Sequence, residues 1–160
     1  MGIDPGYHRC GFAVFEQLRG ETGRLLTSGT IVTDRQDTAP ARLHYLALEM
    51  NRLIGEWKPD VLAVEKLYFS KNVKTAIGVA QARGVILASS AAAGVVVAEY
   101  TPTMVKSQLT GNGRAGKEQV AYMVKRLLGL NDSERLDDEM DAAAIALCHS
   151  QRASIPEVLK

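Results

Sequence analysis

The sequence has little cysteine and no long hydrophobic run, and both absences exclude classes of protein. Its two cysteines, Cys10 and Cys148, lie far apart with no partner at metal-ligand spacing, which excludes a disulfide framework and a zinc site. The most apolar stretch, residues 84–98, is interrupted by two serines and a glycine. It is shorter than the roughly 20 residues that span a bilayer. The N-terminus shows no basic stretch followed by an apolar run, so we expect a cytoplasmic protein without a membrane partner.

The sequence also has no large excess of positive or negative charge. The formal net charge is +1, which by itself argues against a nucleic-acid partner. The average conceals a contrast, however, because sequestering four carboxylates on metal would leave the rest of the chain at +5. Residues 103–126 contain five basic residues against one acid, a net charge of +4. The sequence therefore predicts an acidic site in a basic setting.

The pattern of apolar residues predicts a single α/β domain over residues 1–160. Three antiparallel strands in a meander are predicted near the N-terminus, at residues 2–4, 10–17 and 25–33. The first helix begins near Pro40, and Pro59 ends it. Its apolar residues recur at three- and four-residue steps and predict a buried face: Leu43, Leu46, Met50, Leu53, Ile54 and Trp57.

The second half alternates strands and helices. Residues 61–64 form a continuous apolar run typical of a strand covered on both faces, and it is followed by a helix from about Asn72 to residues 91–93. Residues 95–98 predict another buried strand, and Thr101 with Pro102 predicts the start of a helix. After the glycine-rich loop 111–117 comes a helix that Gly129 ends, and the last helix begins near Asp137. The predicted core face of the penultimate helix comprises Val120, Met123, Val124, Leu127 and Leu128.

Four carboxylates are expected to converge. Asp4 and Glu65 each follow apolar strand residues, and ligands of open α/β sheets gather beyond the carboxyl ends of strands. Asp138 and Asp141 share one helix face, with β-carbons roughly 5 to 6 Å apart. An all-oxygen set favours a hard cation such as Mg²⁺ or Mn²⁺, and four carboxylates can bridge two ions about 3.5 to 4 Å apart. An isolated Asp-x-x-Asp is usually a cap or a solvated face, whereas a carboxylate directly after a buried strand, as at Glu65, is costly unless paired or metal-bound.

Four motifs resemble, in order and spacing, those of the bacterial RuvC family: residues 2–6 (GIDPG), 64–65 (VE), 81–84 (QARG) and 138–142 (DEMDA). The first motif also resembles the Asp-x-Gly turn of actin-like ATPases, but 60 residues separate its acid from Glu65 as in RuvC. The resemblance implies an RNase H-like fold, a mixed five-stranded sheet with helices on both faces. It also implies a homodimer that nicks the two strands of a Holliday junction symmetrically in recombination and repair, with RuvA and RuvB as possible branch-migration partners.

The resemblance also implies roles for individual residues. Asp4, Glu65, Asp138 and Asp141 match the four catalytic, metal-binding positions. Tyr68 falls where the family has an aromatic residue that stacks on a junction base, although Tyr68 and the neighbouring Phe69 could equally be core residues. Lys106 and Lys117 match DNA-contacting lysines. Arg114, in the glycine-rich loop, is a further candidate DNA contact, because loop amides and a helix N-terminus can cradle phosphate.

Three rival functions remain at this stage. The first is another RNase H-like nuclease, such as one of the RuvX type, which would differ in substrate and not in metal chemistry. The second is an actin-like phosphotransferase domain, whose second phosphate loop and adenosine pocket a chain of 160 residues lacks. The third is a junction-binding module without catalysis, against which four intact acids argue. The histidines suggest no metal site, because His149 lies about 12 Å along the helix from Asp141 and His8 and His44 have no partner at ligand spacing.

Overall fold

The computed structural model describes residues 1–17, 23–66, 73–130 and 137–153. Its elements, in chain order, are β1 (Gly2–Asp4), β2 (Arg9–Glu16), β3 (Arg24–Val32), α1 (Ala39–Trp57), β4 (Val61–Glu65), α2 (Val73–Ala92), β5 (Val96–Tyr100), α3 (Pro102–Thr110), α4 (Lys117–Leu128) and α5 (Asp137–Ala153). This order confirms the predicted series of three strands, a helix, a strand, a helix, a strand and further helices. The start of α2 predicted at Asn72 lies outside the described residues.

The five strands form one mixed sheet in the order β3-β2-β1-β4-β5. β1, β2 and β3 pair antiparallel as the predicted meander, whereas β1 with β4 and β4 with β5 pair parallel. The short β1 therefore lies at the centre of the sheet, and its hydrogen-bonding edges are covered by β2 and β4. The carboxyl ends of β1, β4 and β5 all lie at the same end of the sheet, and the predicted acids lie at that end.

Helices cover both faces of the sheet. On one face, α1 and α2 pack around Ile3, Leu62 and Val64. On the other face, α3, α4 and α5 enclose a second apolar cluster that includes Ala63. The alternation along β4 thus buries both sides of the strand, as its continuous apolar run predicted. On α1, the predicted apolar face is confirmed, since its central residues are buried: Leu46, Met50, Leu53 and Ile54.

Helix α5 lies unusually close to the sheet because two glycines face it. A β-carbon at Gly2 would come within 2.3 Å of the Ala142 carbonyl oxygen, and one at Gly11 within 2.0 Å of the Asp138 carbonyl oxygen. Neither backbone atom could move aside without displacing the helix. Glycine on β1 and β2 therefore permits the backbone contact that sets α5 beside the carboxyl end of β1.

Helix termini follow the predicted signals. The Thr101 hydroxyl accepts a hydrogen bond from the Met104 amide at 3.1 Å, with Pro102 opening α3. Gly111 and Gly129 end α3 and α4 in the left-handed conformation, with φ of 73° and 62°, which glycine adopts without a steric penalty. α3 therefore ends at the first residue of the glycine-rich loop.

Two sequence predictions are wrong in detail. The last strand spans Val96–Tyr100 and is only partly buried, because it occupies the sheet edge: Val96 is 64% exposed, whereas Tyr100 is buried. On α4, Leu127 is 39% exposed and does not join the core. Successive helix positions differ by about 100°, so Leu127 and Leu128 cannot both point inward, and Leu128 makes the core contact.

Both cysteines are free and buried. Among the described helices, none combines the length and the apolar character needed to cross a bilayer.

Candidate active site

Asp4 and Glu65 end two neighbouring parallel strands. Ile3 pairs with Val64 across β1 and β4, so the next residue of each strand carries a carboxylate at the same edge of the sheet. Both line a cleft of about 210 Å³. The other residues of its wall are Pro102, Val105, Lys106, Lys117, Val120, Asp141, Ala144 and Ile145. Three of the four predicted acids therefore share one cleft with two of the predicted DNA-contacting lysines.

Asp138 and Asp141 belong to the first turns of α5, one helical turn apart as predicted. Asp141 lines the cleft. The Asp138 carboxylate instead accepts a hydrogen bond from Nε of Arg9 at 2.5 Å. Asp138 still acts on the cleft electrostatically, because its charge is among those that raise the pKa of Asp4. The fourth acid thus lies outside the cleft wall, at a distance from which its charge still acts on Asp4.

The electrostatics of the cleft disfavour negative charge. Burial, followed by the charges of Asp141, Glu65 and Asp138, raises the pKa of Asp4 to about 7, and Lys117 only partly opposes this. Burial and the charge of Asp141 also raise the pKa of Glu65, against the opposing charge of Lys106. Raised carboxyl pKa values in a cleft are typical of functional sites. The arrangement attracts a cation.

The basic candidates occupy different positions. Nζ of Lys117 lies 3.1 Å from Asp141 and 3.4 Å from Asp137, and its pKa is raised because these contacts outweigh the desolvation that lowers it. Lys106 lines the same cleft. Arg114 is exposed on the loop between α3 and α4. Tyr68, and Phe69 beside it, lie outside the described residues.

Two arginines at the site had no predicted role. Arg83 donates from Nε to the Glu65 carbonyl oxygen at 3.2 Å and forms an ion pair with Glu99, so α2 holds the end of β4 in place. Arg83 belongs to one of the four motifs, which could have drawn attention to it. Arg9 contacts Asp138 across 129 positions of sequence, and no local pattern indicates that pairing.

The donor set fits a hard divalent cation, because all four acids offer carboxylate oxygens. Within the described ranges, however, no three His, Cys, Asp or Glu side chains stand together as a metal-binding group. Two of the four acids are held by basic partners, Asp138 by Arg9 and Asp141 by Lys117. A cation would add its charge to these ion pairs or replace one of them.

The histidines and a second cavity lie away from this chemistry. Nδ1 of His149 is 2.8 Å from the Tyr100 hydroxyl, and Nδ1 of His8 is 2.7 Å from the Thr33 carbonyl oxygen. A cavity of about 430 Å³ opens at the opposite end of the sheet, beside Met1 and Val61, and none of the predicted site residues lines it. The acidic cleft is therefore the candidate active site.

A mixed sheet in this order, with acids at the ends of its two central parallel strands and on the helix across them, defines an RNase H-like nuclease. Solved structures agree with this class. A structure described as the T. thermophilus RuvC in complex with Holliday junction substrate matches with a TM-score of 0.89 and 35% identity, covering 96% of this chain and 93% of that one. The yeast mitochondrial Holliday junction resolvase Ydc2 matches at 0.68 and 15% identity, covering 92% of this chain and 75% of that one. The second match supports the fold alone.

Sequence comparison identifies the family. Residues 1–149 match the family described as crossover junction endodeoxyribonuclease RuvC. A protein of that name from Syntrophomonas wolfei is 48% identical over 151 residues, which cover 93% of this chain and 86% of the relative. Another from Halothermothrix orenii is 46% identical over 149 residues, with coverage of 93% and 90%. The chain belongs to the RuvC family of crossover junction endodeoxyribonucleases, which favours this activity over that of a RuvX-type nuclease.

Proposed function

We propose that this chain resolves Holliday junctions by hydrolysing DNA phosphodiester bonds at the acidic cleft, with Asp4, Glu65, Asp138 and Asp141 as its catalytic and metal-binding residues. The observation that carries the proposal is the convergence of Asp4, Glu65 and Asp141 on one cleft, with Asp138 close enough to raise the pKa of Asp4. The family match gives this cleft its substrate class, since the similar T. thermophilus protein is described in complex with Holliday junction substrate.

Mg²⁺ is the proposed cofactor, two ions for each site, and Mn²⁺ should substitute for it because both prefer oxygen ligands. When bound, a divalent cation supplies positive charge that stabilises phosphoryl transfer and lowers the pKa of the attacking water. The raised pKa of Asp4 supports this assignment, because a bound cation would favour the ionised form of this buried acid at neutral pH.

The residues of the chain have separate tasks in this proposal. Lys106 and Lys117 line the cleft, where their charges can hold a phosphate against the acids. Val105, Val120 and Ile145 form its apolar wall, which lowers the local dielectric constant and strengthens these interactions. Arg83 fixes the backbone of Glu65 through the Glu65 carbonyl oxygen. Arg114 contributes a further charge toward DNA from the exposed loop.

Assembly and location are part of the proposal. Symmetric cutting of a four-way junction needs two cleavage sites, so we infer a homodimer in the cytoplasm, one active site in the single domain of each subunit. The exposed Ile77 on α2 and the exposed Tyr45 and Leu48 on α1 support an apolar contact on that side of the molecule. A branch-migration complex of RuvA and RuvB is the proposed functional partner.

The test is cleavage of a synthetic four-way junction beside a linear duplex of the same arm sequence, each with Mg²⁺ and with EDTA. We expect paired nicks near the crossover of the junction, in strands of like polarity and only with Mg²⁺, and an intact duplex. Equal cutting of the duplex would indicate a nuclease without junction selectivity. Cutting of the junction in EDTA would contradict the metal-dependent site.

A further inference from the structure

Arg9 joins β2 to the start of α5. It is the first residue of β2, and its Nε donates to Oδ2 of Asp138 at 2.5 Å. The side chains of Arg9 and Asp138 are 38% and 26% exposed, so solvent screens the pair only in part. Of the predicted acids, Asp138 is the one whose partner comes from the sheet instead of from a neighbouring helix.

Two further contacts fix the same helical turn. The Gly11 backbone touches Asp138 so closely that any β-carbon there would collide with the Asp138 carbonyl oxygen. The hydroxyl of Ser28, on β3, donates to Oε2 of Glu139 at 3.0 Å. Asp138 and Glu139, in the first turn of α5, thus contact β2 and β3 respectively. Arg9 is the contact in this set that reaches a predicted metal-binding carboxylate.

The first turn of α5 concentrates negative charge. Asp137, Asp138 and Glu139 are consecutive acids in the first turn of α5. The positive end of the helix dipole offsets only part of their repulsion. Lys117 contacts Asp137 and Arg9 contacts Asp138. Lys117 and Arg9 therefore each place a positive charge beside one acid of this turn.

The position of Arg9 separates it from the lysines that we propose bind DNA. Lys106 and Lys117 line the cleft, whereas Arg9 is absent from its wall. Arg9 binds one carboxylate oxygen of Asp138, which leaves the other oxygen for a different partner. This is the arrangement by which partners behind a ligand orient metal-binding side chains in proteins.

We propose that Arg9 is a positioning residue, which holds the Asp138 carboxylate in the orientation that the metal-bound site requires. The proposal rests on the function proposed above. It predicts a specific cost, because loss of a partner behind a metal ligand typically lowers metal affinity or activity by about 10- to 100-fold. The opposite role, in which Arg9 competes with the cation for Asp138, predicts tighter metal binding when Arg9 is removed.

The experiment compares Arg9→Gln and Arg9→Lys with the wild type and with a matched control, Arg24→Gln. Arg24 also donates from Nε to a carboxylate of the sheet, Glu16, at 2.9 Å, but away from the acidic cleft. Mn²⁺ binding to the whole chain is measured from the electron paramagnetic resonance signal of free Mn²⁺. The Mg²⁺ concentration for half-maximal junction nicking is the second readout.

We expect Arg9→Gln to bind Mn²⁺ about 10- to 100-fold more weakly and to raise the half-maximal Mg²⁺ concentration by a similar factor. Arg9→Lys keeps the charge but not the planar guanidinium, so both values should fall between wild type and Arg9→Gln. Arg24→Gln should match the wild type. If Arg9→Gln does not fold, Arg9→Lys alone still decides, because unchanged values for it would overturn the proposal.

A double variant tests whether Arg9 acts through Asp138. In an Asp138→Asn background, adding Arg9→Gln should weaken Mn²⁺ binding less than about twofold, since coupled residues show non-additive effects. If Arg9→Gln weakens Mn²⁺ binding in that background as much as it does in the wild type, the proposal is overturned. Tighter Mn²⁺ binding by Arg9→Gln alone would also overturn it. These outcomes leave the proposed function standing if the wild type still nicks junctions. A wild type that neither nicks junctions nor binds Mn²⁺ would refute the proposed function itself.

Discussion

Nζ of Lys117 lies 3.1 Å from Oδ2 of Asp141, so the first residue of α4 is joined to the helix that carries two of the proposed catalytic acids. The same ammonium group reaches Asp137 at 3.4 Å. Its side chain is nevertheless 58% exposed, which leaves room for a phosphate on its open side. Lys117 thus belongs both to the electrostatic balance of the acidic cleft and to the basic segment that we propose faces DNA.

The cleft lysines should contribute to the salt dependence of junction binding. Lys106→Ala and Lys117→Ala should each weaken binding and reduce the slope of log affinity against log salt concentration by about 0.9, if each lysine neutralises one phosphate. Arg52→Ala is the control, because Arg52 is engaged with Glu49 and Glu56 on the surface of α1 and should leave the slope unchanged. Fluorescence anisotropy of a labelled junction at several salt concentrations gives the slopes. An unchanged slope for both lysines would place them away from DNA.

The raised pKa of Asp4 should make the metal-free protein less stable as pH rises. Its pKa is raised from 3.8 to about 7 in the folded state, so folding favours the protonated acid. That stabilisation is complete below about pH 4 and is lost progressively as pH rises through the folded-state pKa. Asp4→Asn keeps a neutral group throughout. In EDTA, the melting temperature of Asp4→Asn should therefore exceed that of the wild type by an amount that grows from pH 4 to pH 7 and is then constant. A pH-independent difference would contradict the raised pKa.

Gly11→Ala should displace the first turn of α5. Its β-carbon would lie 2.0 Å from the Asp138 carbonyl oxygen, and overpacking of this kind typically costs about 1–3 kcal/mol. For a chain of this size, that corresponds to a melting temperature lower by roughly 2–12 °C, with weaker junction nicking because Asp138 moves. Gly55→Ala is the matched control, since nothing lies within 4 Å of its β-carbon and alanine favours a helix by about 0.5–1 kcal/mol. Calorimetry of both variants checks the pair, and an unchanged melting temperature for Gly11→Ala would contradict the close packing of α5.

The sequence predicted the acids better than their surroundings. The apolar run before Glu65 marked a strand buried on both faces, and the three-residue spacing of Asp138 and Asp141 put both at the start of one helix. These are local signals, since each depends on the period of a single element. The structure bears out both elements and sets Glu65 beside Asp4. The catalytic role of the four acids stays a prediction until it is measured.

What could not be predicted depends on packing between distant elements. The Arg9–Asp138 pair arises because Gly11 lets α5 rest on β2, and a sequence pattern records neither the contact nor its geometry. Likewise, the apolar run 95–98 gave no indication that β5 would lie at the sheet edge, because hydrophobicity alone does not distinguish an edge strand from a central one. On α4, the apolar pattern likewise did not show that Leu127 would be exposed. Tyr68, which the family resemblance assigns to base stacking, lies outside the described residues.

We propose that the four carboxylates act as one metal-dependent catalytic unit. Single-turnover nicking of a four-way junction in Mg²⁺ measures this directly. Asp4→Asn, Glu65→Gln, Asp138→Asn and Asp141→Asn are compared with Glu56→Gln, a control whose carboxylate pairs with Arg52 on the surface of α1. We expect each of the four variants to lose at least about 100-fold in nicking rate while still binding the junction, because residues that act as a unit fail together. Glu56→Gln should match the wild type. Nicking at the wild-type rate by any one of the four variants would refute a single catalytic unit of four carboxylates.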